Sequence, residues 1–193
     1  MIEEKFKAYI QHVSPLNEEV MNALNACFRK EILKKNEYFV KEGAYAQQVA
    51  FIASGVARAF YIDEEGKEYN KQFFMAPAFI GAYTSLLTKT PNRIAQQALT
   101  DCELYVADYS LIEELYARYH QFEHFGRKIA EYYFLEKEKK ELEMGLLEAK
   151  DRYLIFQKEF PGIENLIAQR HIASYLGISQ TQLSRIRRKL LEG

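Results

Sequence analysis

The hydrophobic positions divide the sequence into zones of different periodicity. Residues 2–28 and 111–190 have apolar side chains at three- and four-residue steps, which is typical of helices. Residues 31–108 consist instead of short apolar runs, rich in aromatic and β-branched residues and separated by turn signals such as Ser54-Gly55. The pattern predicts an α+β protein with N-terminal helices, a compact antiparallel β-roll and a helical second half.

A long helix is predicted over residues 122–149, after a short one over 111–119. Its apolar stripe is suited to pairing with a second copy in a homodimer. The charged run Glu136–Glu141 interrupts any strict heptad seam, so the sequence leaves open whether the whole helix faces a partner or part of it lies against the β-roll. The stripe consists of Phe122, Phe125, Ile129, Tyr132, Tyr133, Leu135, Leu142 and Leu146.

The C-terminal segment has the pattern of a helix-turn-helix. Apolar residues at Ile172 and Leu176 stop at Gly177, and helical spacing resumes after Ile178. Gly177 suits a left-handed turn, and the Ser179 hydroxyl suits the cap of the second helix. We therefore expect three regions: a sensor β-roll with N-terminal helices over residues 1–120, a connecting and dimerisation helix over 121–150, and a helix-turn-helix domain over 151–193.

Charge is distributed unevenly along the 193 residues. The whole chain has a net charge of −1, but residues 165–193 hold five basic residues against one acidic residue, so that segment carries +4 and the remainder −5. A basic helix face is often simply solvated, yet small and amide side chains suit base edges, and Arg185 suits guanine. Adjacent basic residues suit phosphates. The side chains left for solvent or a DNA duplex are Gln180, Thr181, Gln182, Ser184, Arg185, Arg187, Arg188 and Lys189.

The sequence lacks the marks of a membrane or secreted protein. No apolar run approaches the length of a membrane span, and the N-terminus MIEEKFKAYI lacks the apolar core of a signal peptide. Cys27 and Cys102 are far apart without a CxxC pattern, which gives little support to a disulfide framework, a zinc site or an iron–sulfur cluster. We expect a cytoplasmic protein without a membrane partner.

The sequence shows no motif typical of an enzyme class. A cupin-like metal enzyme needs histidines inside the barrel, but all four histidines lie outside residues 31–108. His120 and His124 share a helix face and could hold a metal, although a solvated or packed pair is the commoner arrangement. The sequence contains no GxSxG, Walker glycine loop or HExxH. We expect neither an enzyme nor a metal site.

The layout and the segment LGISQTQLSRIRRKL together resemble the cyclic-AMP receptor protein/FNR family of bacterial transcription regulators, over nearly the whole chain. The resemblance implies a homodimer that binds double-stranded DNA and contacts RNA polymerase. It places Gln180, Thr181 and Arg185 at base-reading positions, and Gln169 and Ser179 at phosphate-contacting positions. Because the sequence ends at Gly193, we expect a helix-turn-helix domain that lacks the long wing of most family members.

The effector pocket departs from the family pattern. Cyclic-nucleotide binders of the family have Gly-Glu and Arg-Ser/Thr-Ala here, whereas this chain has Ala82 after Gly81 and Ile94 after Arg93. Arg93, in a Pro-Asn loop, suits a surface position better than a phosphate clamp. We expect no tight binding of cyclic AMP and no certain cofactor, so the pocket holds another small molecule or is vestigial. Its expected lining is Gly81, Ala82, Tyr83, Thr84, Ser85, Arg93 and Ile94.

A second functional class stays open at this point. The same sensor could act through a protein partner, with the helix pair serving only as an interaction surface. A gel-shift titration separates the two, because DNA binding through phosphates weakens steeply with salt whereas the alternative gives no shift at any salt.

Overall fold

The β-roll is formed by two antiparallel four-stranded sheets in the computed structural model, which describes residues 4–192. The strands of the described residues are β1 (Arg29–Leu33), β2 (Tyr38–Val40), β3 (Gln48–Ser54), β4 (Val56–Ile62), β5 (Glu68–Met75), β6 (Ala78–Ile80), β7 (Ala95–Ala98) and β8 (Cys102–Asp108). One sheet has the order β1-β8-β3-β6 and the other β2-β7-β4-β5. Together with the helices that flank them, these sheets confirm the predicted α+β fold class.

Helices precede and follow the roll. They are α1 (Glu4–Val13), α2 (Glu18–Cys27), α3 (Tyr83–Thr88), α4 (Tyr109–Arg118), α5 (His120–Leu146), α6 (Ala149–Glu159), α7 (Gln169–Tyr175) and α8 (Gln180–Glu192). The predicted end of the long helix at residue 149 is wrong, because Leu147 and Glu148 have extended backbone angles and separate α5 from α6. The predicted start of the first helix at Ile2 lies outside the described residues.

An aromatic core joins α1, α2 and α4 to the sheet that contains β3 and β8. Phe6 is fully buried, and its ring stacks on that of Phe51 with the centroids 4.4 Å apart. Phe122 and Phe125, at the start of α5, are only 3% and 4% exposed in the same core. Their predicted place in a dimer seam is therefore wrong, since their rings are already buried within one chain.

A second core joins the C-terminal helices to the β-roll. Phe73, Val56 and Leu99 belong to the roll, yet they are buried in one cluster with the C-terminal helices. The cluster members contributed by these helices and their connections are Tyr153, Phe156, Ile163, Ile167, Ile172, Ala173, Tyr175, Leu176 and Leu183. The helix-turn-helix region thus shares its hydrophobic core with the sensor.

Candidate functional site

The helix-turn-helix turn is built as the sequence predicts. Gly177 has φ +67°, the left-handed conformation that favours glycine. The Ser179 hydroxyl accepts a hydrogen bond from the Gln182 amide at 3.1 Å, while the Gln182 side-chain oxygen accepts one from the Ser179 amide at 3.0 Å. This reciprocal capping box fixes the start of α8, and it confirms both predicted turn residues.

The outer face of α8 is open to solvent. Leu183 is fully buried and anchors the helix, while Gln180, Thr181 and Arg185 are exposed. The other predicted DNA contacts that are exposed are Gln169, Ser179, Gln182, Ser184, Arg188 and Lys189.

Several predicted DNA contacts have partners within the chain, among them Ser179 in the cap described above. The side-chain oxygen of Gln182 is committed to the cap. Arg187 is only partly exposed, with Nε 3.8 Å from Oε1 of Glu164. This geometry argues against a base contact by Gln182 and a free phosphate contact by Arg187. Arg188 lies 3.8 Å from Glu192 on the same exposed helix, where such a pair is weak and leaves the arginine accessible.

The first helix of the pair, α7, is docked on strand β5. The Asn70 amide donates to the Ser174 hydroxyl at 2.9 Å, and that hydroxyl donates to the Glu68 carbonyl at 2.8 Å. The Asn70 side chain also donates to the His171 carbonyl at 3.4 Å. These three hydrogen bonds therefore join strand β5 to helix α7.

A buried arginine completes this junction. Arg58 of β4 donates to both carboxylate oxygens of Glu68, at 2.5 and 3.2 Å, and to Gln97 at 2.8 Å. It also donates to Nδ1 of His171 at 3.0 Å, so that imidazole is the acceptor and is neutral. Burial, together with the adjacent guanidinium, lowers the pKa of His171 to about 4. We refer to helices α6 to α8 as the reader, and to Arg58, Glu68, Asn70, His171 and Ser174 as the sensor–reader junction.

The C-terminal half of α5 also contacts the reader. The ammonium of Lys140 lies 3.7 Å from the ring centroid of Tyr175, and Lys139 pairs with Glu159. The methyl of Met144 lies 2.7 Å from the position that a Cβ on Gly177 would occupy. Met144 thus places α5 against the turn between α7 and α8.

A cavity of about 590 Å³ lies between the roll and α5. Such a volume is typical of small-molecule sites. Its walls are mostly aromatic and aliphatic, and Ile129, Tyr133 and Lys137 of α5 form one side. All the residues predicted for the effector pocket line it, namely Gly81, Ala82, Tyr83, Thr84, Ser85, Arg93 and Ile94.

Comparisons with known proteins agree with this architecture. Residues 30–119 match the family model of the cyclic nucleotide-binding domain. No curated protein matches the chain significantly. Among solved structures, FixK2 from Bradyrhizobium japonicum has a TM-score of 0.75 at 18% identity, covering 86% of this chain and 85% of that chain.

Two further structures extend the match. A regulator from Eubacterium rectale, described as of the CRP/FNR family, has a TM-score of 0.71 at 15% identity, covering 92% of this chain and 85% of that chain. The catabolite activator protein of Thermus thermophilus has a TM-score of 0.58 at 22% identity, covering 95% and 86%. The chain has the CRP/FNR fold. The predicted resemblance is confirmed at this level.

Within this CRP/FNR fold, the Gly81-Ala82 segment brings no carboxylate to the cavity wall. Ala82 occupies the position where the family pattern has a carboxylate. The Ser85 hydroxyl accepts from the Ala46 amide at 3.1 Å and donates to the Thr90 carbonyl at 2.6 Å, so its single donor is already used. Arg93 is exposed at the cavity edge, as its loop predicts.

The long helix of this CRP/FNR fold has two different halves. Ile129 and Tyr133 face the roll, and the Tyr133 hydroxyl donates to the Phe79 carbonyl at 2.9 Å. By contrast, Leu135, Leu142 and Leu146 lie on one helix face and are 61%, 61% and 77% exposed; Tyr132 is 52% exposed. Only this C-terminal part of the predicted stripe is available to a partner, and Ile129 and Tyr133 must be removed from it.

The sequence motifs do not predict three residues of the junction and the cavity, namely Arg58, Lys71 and Gln96. Arg58 stands in the otherwise apolar run of β4, and this break in the pattern was the available signal. Lys71 and Gln96 line the cavity without any motif that marks them.

The described residues contain no cluster of three metal-ligating side chains. Within α5, His120 contacts Glu123 and His124 contacts Arg127. None of the helices over residues 4–192 is long and apolar enough to cross a membrane.

Proposed function

We propose that the protein is a homodimeric, DNA-binding transcription regulator that acts in the cytoplasm and has no catalytic role. The observation that carries the proposal is helix α8. Its inner side is fixed by Leu183 and by the capping box, while Gln180, Thr181 and Arg185 project freely from a cationic surface. A rigid helix with exposed amide, hydroxyl and guanidinium groups at its start is suited to the major groove.

The side chains of α8 have different roles in this proposal. Arg185 donates two hydrogen bonds to O6 and N7 of guanine, and Gln180 and Thr181 contact neighbouring base edges. Arg188 and Lys189 contact phosphates, which position the helix without reading sequence. Gln169 and Ser179 contact phosphate as the family resemblance implies. RNA polymerase is proposed as a partner on that resemblance alone.

A second copy of the chain provides the second reading helix. The exposed apolar face of α5, formed by Leu135, Leu142 and Leu146, is suited to pairing with itself across a two-fold axis. Two readers separated by about 34 Å fit successive major grooves on one side of a duplex. Palindromic sites are therefore expected.

The cavity is proposed as the effector site. Ile129, Tyr133 and Lys137 line it, and Lys140 and Met144, one to three turns further along the same helix, contact the reader. A molecule in the cavity thus touches the helix that contacts α7 and the turn before α8. Because the family's carboxylate is replaced by Ala82, we do not expect tight binding of cyclic AMP.

Replacement of Arg185 tests the reading role. After the preferred duplex has been selected from random sequences, Arg185→Ala should lower the preference for that duplex over random DNA by about 10- to 100-fold, the loss of one bidentate base contact. Arg188→Ala should instead weaken binding to both duplexes by similar factors and reduce the salt slope by about one unit. Fluorescence anisotropy titrations at several salt concentrations measure both effects.

Lys35→Ala is the matched control, because Lys35 is an exposed basic residue in the turn between β1 and β2. It should leave affinity and salt slope unchanged. Equal losses on selected and random DNA for Arg185→Ala would refute the reading role. No binding to any duplex at low salt would refute the regulator proposal in favour of a protein partner.

A further inference from the structure

We infer that the β-roll cavity binds a small aromatic carboxylate that carries a hydrogen-bond donor on its ring. The inference rests on the proposed function in one respect, namely that this cavity is the effector site. Three features support it: the aromatic walls, an unpaired side-chain amide oxygen inside the cavity, and an edge with basic but no acidic side chains.

The walls favour an aromatic body. Rings from different elements converge on the cavity, including Phe74, Phe79, Tyr116, Phe122 and Phe125. Aromatic side chains hold other rings in offset or edge-to-face contacts. The volume of about 590 Å³ accommodates a substituted ring with a short chain.

Gln96 supplies a specific polar partner. It lies on β7 next to Gln97, which bonds Arg58 on the outer side of the sheet. Since neighbouring residues of a strand face opposite sides, Gln96 faces the interior, and it lines the cavity. It is only 4% exposed, and its carboxamide oxygen has no hydrogen-bond partner. A buried acceptor of this kind is satisfied by a phenolic O–H or ring N–H of a ligand.

The charges select an anion. Lys71, Arg93 and Lys137 line the cavity and are exposed, so they lie at its solvent-facing edge. None of the described residues that line the cavity is acidic. The cavity therefore offers no carboxylate to a ribose diol or to a cationic ligand, and it attracts a negative group to its edge.

A carboxylate fits this edge better than a cyclic phosphate. A phosphate needs several donors around it, but the Ser85 hydroxyl is occupied by the Ala46 amide and the Thr90 carbonyl. Ile94 follows Arg93 and brings no hydroxyl. A carboxylate at the edge keeps part of its hydration and needs only one or two of the exposed basic side chains.

Isothermal titration calorimetry with matched probes tests the inference on the full-length protein. The probes are 3-(4-hydroxyphenyl)propionate, 3-phenylpropionate, 3-(4-hydroxyphenyl)propan-1-ol and cyclic AMP. We expect the hydroxyphenyl acid to bind most tightly. Removing either its phenol or its carboxylate should weaken binding about tenfold, the effect of one hydrogen bond or one partly solvated ion pair.

Variants assign the two contacts. Gln96→Leu should remove the difference between the hydroxyphenyl and phenyl acids, and Arg93→Gln should weaken both acids but not the alcohol. Gln47→Leu, which makes the same change at an exposed position, should leave all affinities unchanged. The comparison of probes on the unmodified protein decides the matter even if Gln96→Leu fails to fold.

Equal affinities for the two phenylpropionates and the alcohol would overturn the inference. Tightest binding of cyclic AMP, or no heat on titration with either acid, would also overturn it. Failure of this inference and failure of the proposed function give different results. Tight binding of the acid by a protein that binds no duplex would refute the regulator and keep the ligand class, and sequence-specific DNA binding with equal probes would do the reverse.

Discussion

Gly55, in the turn between β3 and β4, occupies a position that no side chain fits. Its φ is +98°, and a Cβ there would lie 2.4 Å from the carbonyl oxygen of Asp101. The turn is held from both sides, because the Gly55 carbonyl accepts from the Ala76 amide at 3.2 Å and the neighbouring Val56 amide donates to Thr100. Backbone strain and a backbone clash therefore coincide at one residue.

Gly55→Ala should lower the free energy of unfolding by on the order of 3 kcal/mol or more, because the strained φ and the collision with Asp101 add together. Gly43→Ala provides the matched comparison. Gly43 has φ +77° but nothing within 4 Å of the added Cβ, so the loss should be about 1 kcal/mol. Urea unfolding followed by circular dichroism measures both. Equal losses would show that the clash has no effect.

Residue types fixed by local chemistry were predictable. The left-handed turn at Gly177 and the cap at Ser179 depend on a few neighbouring residues, so the sequence contains all the information needed. Gln96 and Arg58 are different. Nothing near Gln96 in the sequence indicates that its side-chain oxygen lies unpaired inside a cavity. Nothing near Arg58 indicates that it meets a histidine 113 residues away.

At the scale of elements, helix α5 changes its surroundings along its length. Its first half packs on the roll through Phe122, Phe125 and Tyr133. In its second half the leucines are exposed to solvent, and Lys140 contacts the Tyr175 ring of α7. One continuous helix thus connects the cavity, the proposed dimer face and the proposed DNA-binding helices.

Leu142→Glu should convert the proposed dimer into a monomer, because the charge would be buried in the apolar face between two α5 helices. Light scattering coupled to size-exclusion chromatography measures the mass, and circular dichroism confirms retained helix content. Leu111→Glu is the control, since Leu111 is exposed on α4, outside the proposed seam. A mass unchanged by Leu142→Glu, or a monomeric unmodified protein, would contradict the proposed interface.

The sequence predicted the existence of the long helix but left open which part of its stripe faces a partner and which part lies against the β-roll. Three- and four-residue spacing shows only which side of a helix is apolar. It does not distinguish a neighbour in the same chain from one in a second chain. Phe122 and Leu142 lie at similar steps of the stripe, and only the arrangement of the roll buries the first and leaves the second exposed.

At the scale of the whole molecule, the sensor–reader junction links protonation to stability. His171 is neutral in the folded chain, with its pKa lowered from 6.5 to about 4 by burial and then by Arg58. The unfolded chain binds a proton at this site below about pH 6.5. The unfolded state therefore holds more protons between these values, and stability must fall as the pH falls through this window.

His171→Asn should remove this dependence. The advantage of the unmodified protein over the variant in free energy of unfolding should shrink by about 3 kcal/mol between pH 7 and pH 4. The same substitution at exposed His12 is the control for loss of one imidazole from the chain. Urea titrations at a series of pH values provide the measurement. Parallel curves for the unmodified protein and His171→Asn would refute the linkage.

Three side chains of the β-roll are buried against the C-terminal helices, namely Phe73, Val56 and Leu99. The reader is consequently not a portable module: grafted onto another scaffold, α6 to α8 would present to water the apolar surface that these three side chains now cover. A change of shape at Phe73 would therefore alter the packing of both the β-roll and the C-terminal helices.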